Sequence, residues 1–231
     1  MVRPIKSKQI PDLQNSIKEA AWRQIAESGA SSLSLRGIAR ELKISAPAIY
    51  NYFPDRDSLV TTLVNDAYCS FGDHQLAAKE LFPGEDQILQ RFMATGLAYR
   101  KWALTYPQRY LLIFGTPIPG YQLPMDQILP VMMRALGALA SIVGELHAAG
   151  MLAAEGMPRL NQSGAWFCGL GQSGLSPEEE LVYSVSILIW ARVHGQVSLE
   201  ITGMLPSFGD DGDALYLYEL TLIVDQFVRK P

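Results

Sequence analysis

The stretch that decides the amino-terminal fold is residues 34–60, SLRGIARELKISAPAIYNYFPDRDSLV. It predicts two short helices separated by three residues, because Ser34 and Ser45 are both suited to cap a helix. Pro47 falls in the first turn of the second helix, where its missing N–H costs nothing. A second helix that opens with small residues suits insertion into a DNA major groove. The stretch therefore predicts a helix-turn-helix, with an αα-hairpin inside a helical bundle as the alternative.

The residue types around the second helix predict how it meets DNA. Small side chains at its start allow close approach to base edges, and the Asn51 amide can pair with adenine. Arg36 and Arg56 flank the unit and suit contacts with phosphates. The predicted DNA contacts are Ser34, Arg36, Ser45, Ala46, Pro47, Ala48, Tyr50, Asn51, Tyr52 and Arg56.

Outside this stretch the hydrophobic pattern is also helical, and no run alternates with period two, so the fold class is all-α. Helices are predicted over about 13–28, 35–42, 46–52, 88–106, 108–114, 125–149, 177–204 and 214–229, with another that begins after Asp55. Ser176, Pro177 and Glu179 predict a capping box. One stripe has a strict 4-3-4-3-4 spacing: Ile88, Phe92, Thr95, Tyr99, Trp102 and Tyr106.

The charge is uneven along the chain. Residues 1–60 hold nine Lys/Arg against six Asp/Glu, a net +3, which leaves −7 for the rest of a chain whose total is −4. A basic end fits contact with phosphates, although a difference of this size also arises by ordinary scatter. The two cysteines form no disulfide framework, and neither a signal peptide nor an unbroken apolar run of membrane-spanning length is present. A cytoplasmic protein without a membrane partner is expected.

Residues 13–63 resemble the DNA-binding region of the tetracycline-repressor (TetR) family. The motifs that carry the resemblance are Gly29, Leu33-Ser34-Leu35, Ile38-Ala39, and Ile49-Tyr50-Asn51-Tyr52-Phe53 followed by Asp57 and Leu59. The resemblance implies that the third helix reads the major groove. Where the family often has His before the Phe and Lys after it, this chain has Tyr52 and Arg56, which keep a donor for phosphate.

The remaining chain resembles a carboxy-terminal ligand domain of the same family that carries a Trp…His-Gly signature, here Trp190…His194-Gly195. This implies a DNA-binding domain at 1–60 and a helical sensor domain at 61–231 that dimerises through its last two helices. A stripe of mostly small residues along 177–204 and a final helix apolar on more than one face are compatible with such an interface. Packing within one subunit is the alternative.

Candidate ligand contacts come from the aromatic stripe, from a Gly-rich segment at 156–175 and from the signature. Such residues more often form plain core than a cavity, and a histidine on an apolar helix is more often a core residue than a ligand contact. The candidates are Phe92, Thr95, Tyr99, Trp102, Met133, Trp166, Phe167, Trp190 and His194.

Three kinds of chemistry are not supported by the sequence. Residues 169–174 fit G-x-G-x-x-G, but no parallel-strand pattern surrounds them and the next helix opens with three glutamates. The histidines are too scattered for a metal site, and no catalytic pairing is visible, so we expect neither a cofactor nor enzymatic activity.

The function predicted is a transcriptional repressor, a homodimer that a small molecule of unknown identity releases from a pseudo-palindromic double-stranded DNA operator. An activator, a helical enzyme or lipid-binding protein, and a dimeric adaptor are the alternatives.

Overall fold

The computed structural model describes residues 12–160, 175–208 and 213–229. Within these residues the regular structure is helical, apart from a single bridge between Leu152 and Val228. The helices are α1 (Leu13–Ser28), α2 (Leu35–Glu41), α3 (Ala46–Tyr50), α4 (Arg56–Glu80), α5 (Ile88–Thr105), α6 (Pro107–Phe114), α7 (Met125–Ala148), α8 (Pro177–Ile201) and α9 (Ala214–Phe227). The all-α fold class is confirmed.

Most helix boundaries lie where local capping chemistry predicts them. Ser34 accepts a hydrogen bond from the Gly37 N–H, and Asp55 accepts one from the Ser58 N–H. Ser176 and Glu179 form the predicted capping box at the start of α8. α3 is shorter than predicted because it ends at Tyr50, and α8 ends three residues early. The G-x-G-x-x-G match at residues 169–174, which is not expected to bind a dinucleotide, lies outside the described residues.

The chain forms two compact units. The first comprises residues 1–67 and 108–128, and the second comprises 68–107 and 129–231. Residues 108–128 therefore return to the amino-terminal unit. There the Arg109 guanidinium lies 5.4 Å from the centre of the Trp22 ring, and Tyr121 shares a 2.9 Å hydrogen bond with Thr61. The domain boundary predicted at residue 60 divides the chain into two consecutive segments, so it does not include this returning segment. As a boundary between functions it stays a prediction.

The first unit is built on a small apolar core shared by α1 to α4. Ile17, Ile38, Ile49 and Leu59 are fully buried, one from each helix. Ile49 is the buried residue of α3 and anchors that short helix on the core. The position of α3 therefore depends on tertiary burial, since five residues are too few to form a stable helix alone.

In the second unit, a buried arginine joins three helices. Arg100 of α5 donates two hydrogen bonds to the Glu200 carboxylate of α8, at 2.7 and 2.6 Å. It also pairs with Asp213, which precedes α9, and its guanidinium lies 5.5 Å from the Tyr216 ring centre. Only 10% of the Arg100 side chain is exposed, so this pairing replaces hydration that the guanidinium loses.

By length and composition, α7 could cross a membrane: an 18-residue window has a mean hydropathy of 1.5, and a third of that window is buried. A core helix of a soluble protein passes the same test. The sequence prediction relied on unbroken apolar runs, and α7 contains Asp126, Arg134 and Glu145.

We predict that Arg100→Met lowers the free energy of unfolding by about 3 kcal/mol, because it leaves two carboxylates facing an apolar side chain. Arg134→Met is the matched control, since its ion pair with Asp73 is about half exposed and contributes less than about 1 kcal/mol. Urea denaturation of both variants measures the difference. Equal losses in the two would show that the Arg100 pairing contributes no more than a surface pair.

Candidate DNA interface and ligand cavity

The turn between α2 and α3 is fixed by backbone hydrogen bonds. The Ile44 N–H donates to the Ala39 carbonyl at 3.0 Å, and Lys43 adopts a left-handed conformation with φ of 55°. This is a helix-terminating arrangement in which glycine is the usual residue. The turn lets α3 begin one residue after Ser45, which confirms the closely spaced pair of helices that the sequence predicts.

Around α3 the chain presents a polar and aromatic surface. Tyr50 and Tyr52 are 44% and 46% exposed, and Asn51 and Pro47 are exposed as well. Ser45 occupies the cap position, but its side chain makes no capping hydrogen bond. The same short segment thus buries Ile49 and leaves its hydrogen-bonding side chains at the surface. Of the other predicted contacts, Ser34 and Arg36 are exposed and Ala46, Ala48 and Arg56 are partly exposed.

Arg56 has a structural role that the sequence did not indicate. Its Nη2 donates to the carbonyls of Ala30 and Ser31 at 3.2 and 3.3 Å, and its Nη1 lies 3.7 Å from Asp57. The side chain therefore stabilises the short 3-10 helix Ala30–Ser32. A phosphate would have to compete with these carbonyls for the guanidinium, whereas Arg36 lies exposed on α2.

The second unit contains an apolar cavity that opens partly to solvent, with about 70 Å³ of space that the centre of a water molecule could occupy. Five helices contribute to it: α4, α5, α7, α8 and α9. The lining residues include Phe71, Phe92, Thr95, Tyr99, Met133, Gly137, Ser186, Trp190 and Leu220. No charged side chain lines the described part of this cavity.

The cavity brings together five of the nine predicted ligand contacts: Phe92, Thr95, Tyr99, Met133 and Trp190. Trp102 does not line it; this side chain is fully buried, and its Nε1 donates to the Ser70 hydroxyl at 3.0 Å. Strict spacing placed Trp102 on the inner face of α5, but spacing does not distinguish core from cavity wall. Trp166 and Phe167 lie outside the described residues.

His194 stands behind the cavity wall. Its Nδ1 is 2.8 Å from the hydroxyl of the lining residue Tyr99, and its ring lies 4.8 Å from that of Trp190. Burial lowers the pKa of His194 below its ordinary value. The imidazole is therefore neutral at pH 7 and acts as a hydrogen-bonding support for Tyr99.

Sequence reasoning missed most of the cavity face of α8. Tyr183, Ile187, Trp190 and Val193 line the cavity at spacings of four and three residues, which is the period of one helix face. This spacing is visible in the sequence, but the small residues of the same helix indicate a different face. Gly137 was also missed, because a glycine carries no pattern of its own.

The histidine yields a pH prediction. With a lowered pKa in the folded chain, His194 takes up its proton more readily in the unfolded chain, where the pKa is about 6.5. Its contribution to the free energy of unfolding is thus complete above pH 6.5 and is lost as the pH falls below it. We expect the stability difference between the wild type and His194→Gln to shrink from pH 7 to pH 5 in urea denaturation. Parallel pH profiles for the two proteins would contradict this.

No group of three or more His, Cys, Asp or Glu side chains suited to a metal ion occurs in the ranges that the structure covers.

Comparison with known proteins gives the family. Residues 17–63 match "Bacterial regulatory proteins, tetR family", and residues 92–223 match "Tetracyclin repressor-like, C-terminal domain". The chain is 33% identical over 191 residues to the HTH-type transcriptional regulator Rv1816 of Mycobacterium tuberculosis, which is 83% of this chain and 81% of that protein.

Solved structures share the fold. The regulatory protein SCO4313 is 33% identical, with a TM-score of 0.71 over 94% of this chain and all of that one. The fatty acid degradation regulator FadR from Bacillus halodurans is 15% identical, with a TM-score of 0.65 over 91% of this chain and 97% of that one; at this identity it shows the fold alone. The chain belongs to the TetR family of bacterial DNA-binding transcriptional regulators.

Proposed function

We propose that this regulator is a cytoplasmic repressor whose dimer holds a pseudo-palindromic operator until a small molecule enters the cavity of the second unit. The observation that carries the proposal is the pairing of two features in one chain. An exposed polar surface surrounds α3, and an uncharged apolar cavity lies within the second unit.

On DNA, α3 lies in the major groove with Tyr50, Asn51 and Tyr52 as its polar contacts. The Asn51 amide reads a base, since it can donate and accept in one plane. Arg36 contacts phosphate, and Arg56 acts mainly by holding the Ala30–Ser32 segment in place. Ser34, Ser45, Ala46, Pro47 and Ala48 complete the proposed surface.

The proposed dimer forms through α8 and α9. On α9, Tyr216 and Leu220 are buried, yet Leu217, Tyr218 and Leu222 are 41%, 61% and 37% exposed on the other side. On α8, Ala191, Gly195 and Leu199 are exposed at intervals of four residues. An exposed apolar face of small residues and large ones suits close pairing with a second copy.

Release from DNA follows from a change in the spacing between the two copies of α3, which must match successive major grooves about 34 Å apart. α4 belongs to both compact units, and its residues Phe71 and Gln75 line the cavity. A ligand that moves these residues moves a helix that continues into the DNA-binding unit. Such coupling between sites is typically worth about 1–3 kcal/mol.

The Trp…His-Gly signature receives two proposed roles. Trp190 lines the cavity and His194 supports Tyr99, so this pair belongs to ligand recognition. Gly195 is exposed on the proposed dimer face, and a Cβ there meets no atom within 4 Å of this chain. His194 thus faces the cavity wall, and the next residue, Gly195, faces the partner copy.

We predict that selection from random duplex DNA enriches a palindrome. Asn51→Ala loses about 1–3 kcal/mol at particular base positions, whereas Arg36→Ala weakens all sites and reduces the salt dependence by about one unit of slope. Lys101→Ala removes an exposed charge of α5 and is the control that leaves selection unchanged. A folded protein that enriches no sequence at low salt would favour a protein-binding adaptor instead.

We also predict that Leu222→Arg converts the dimer to a monomer, because it places a charge in an apolar interface. Leu97→Arg is the control, since Leu97 is similarly exposed at 41% but lies on α5. Light scattering after size-exclusion chromatography measures both masses. A dimeric mass for both variants would exclude α9 as the interface.

A further inference from the structure

Several polar groups that line the cavity are engaged within the protein. Gln75 donates to the Ala135 carbonyl at 3.2 Å, and Ser186 donates to the Val182 carbonyl at 2.7 Å. The Tyr99 hydroxyl is hydrogen-bonded to His194. The N–H groups of Gln75 and the O–H group of Ser186 are thus directed at the protein, and these side chains can meet a ligand only as acceptors.

Thr95 is different. It is 3% exposed and lines the cavity, yet its hydroxyl oxygen has no hydrogen-bond partner in the part of the chain that the structure describes. Helical threonines usually satisfy themselves on the carbonyl four residues earlier. Among the described residues, Thr62, Thr105 and Thr221 do so, and so does Thr202 at the end of α8. A buried hydroxyl left without a partner is unfavourable, so a ligand that supplies a hydrogen bond would stabilise Thr95.

The cations of α4 and α5 do not line the cavity, and two of them share one carboxylate. Arg91, one turn before Thr95, donates to Glu145 and to the carbonyls of Phe82 and Gly84. Lys79 of α4 also pairs with Glu145, at 2.8 Å. A carboxylate or phosphate in the cavity would therefore be buried without a counter-ion, and an ammonium group would be too, because no carboxylate lines the described cavity.

We propose that the cavity binds a neutral, predominantly apolar molecule that carries one hydrogen-bonding oxygen, an alcohol or a ketone, and that the Thr95 hydroxyl binds this oxygen. The apolar wall supplies most of the affinity through burial of hydrocarbon surface. The uncharged lining disfavours a charged molecule of the same length, because the charge would be buried without a counter-ion. The Thr95 hydroxyl favours the oxygenated molecule over a plain hydrocarbon. This assignment rests on the proposed function, of which it names the effector class.

The test compares four decyl compounds by isothermal titration calorimetry at pH 7.5: 1-decanol, 2-decanone, decanoate and decylammonium. We expect the two neutral compounds to bind at least tenfold more tightly than the two ions. Thr95→Val should weaken the neutral compounds roughly three- to tenfold, the worth of one net hydrogen bond. The same substitution should leave the melting temperature of the free protein unchanged or higher, because it removes an unsatisfied hydroxyl. A purely structural threonine would give the opposite change in stability.

A second pair of variants tests the location. A Cβ at Gly137 or at Gly144, both on α7, meets no atom within 4 Å, so a side chain can begin at either position without a clash. Gly137 lines the cavity and Gly144 does not. Gly137→Leu should abolish binding of 1-decanol, and Gly144→Leu should bind it as the wild type does.

Several results would overturn the inference: tighter binding of decanoate, no binding of 1-decanol to the wild type, equal affinities in Thr95→Val, or full binding by Gly137→Leu. The selected DNA site separates this failure from failure of the proposed function. If 1-decanol binds as expected but leaves the DNA complex intact, the cavity assignment holds and ligand control is wrong. If DNA selection succeeds and no decyl compound binds, only the effector class is wrong.

Discussion

The pairing of Arg100 with Glu200 and Asp213 is the interaction on which the second unit depends. It fixes α5 to α8 and to the start of α9, three of the five helices that surround the cavity. Apolar side chains alone would favour collapse of these helices onto each other, since burial is not directional. A bidentate ion pair has a defined geometry, so it holds the helices at a set separation and leaves a space between them.

Helix α5 explains why no charged side chain lines the described part of that space. α5 contributes Phe92, Thr95 and Tyr99 to the cavity, and its buried arginines, Arg91 and Arg100, bind carboxylates instead. The two arginines thus hold α5 to neighbouring helices. The cavity is lined by hydrocarbon side chains, aromatic rings and polar groups that bind within the protein. Thr95 differs from these engaged groups, and its hydroxyl gives the cavity a point of polarity in addition to the indole Nε1 of Trp190.

In the first unit, the short helix α3 carries a buried residue next to exposed ones. Ile49 secures α3 to the core, and its neighbours Tyr50 and Asn51 lie at the surface. Rigid attachment of α3 makes the orientation of those polar groups definite, which base recognition requires. Arg56 contributes indirectly through the carbonyls of Ala30 and Ser31, a role seen only when the helices are packed.

The sequence by itself determined the helical class, the caps at Ser34, Asp55 and Ser176, and the helix-turn-helix, because these depend on contacts within a few residues. The tertiary structure alone decided which buried residues became cavity wall and which became core. Trp102 and Tyr99 share one face of α5, yet only Tyr99 lines the cavity. Periodicity reports which face of a helix is buried, whereas a cavity depends on how far apart the helices are held. That distance is set by side chains more than a hundred residues away in the sequence, as Arg100 and Asp213 show.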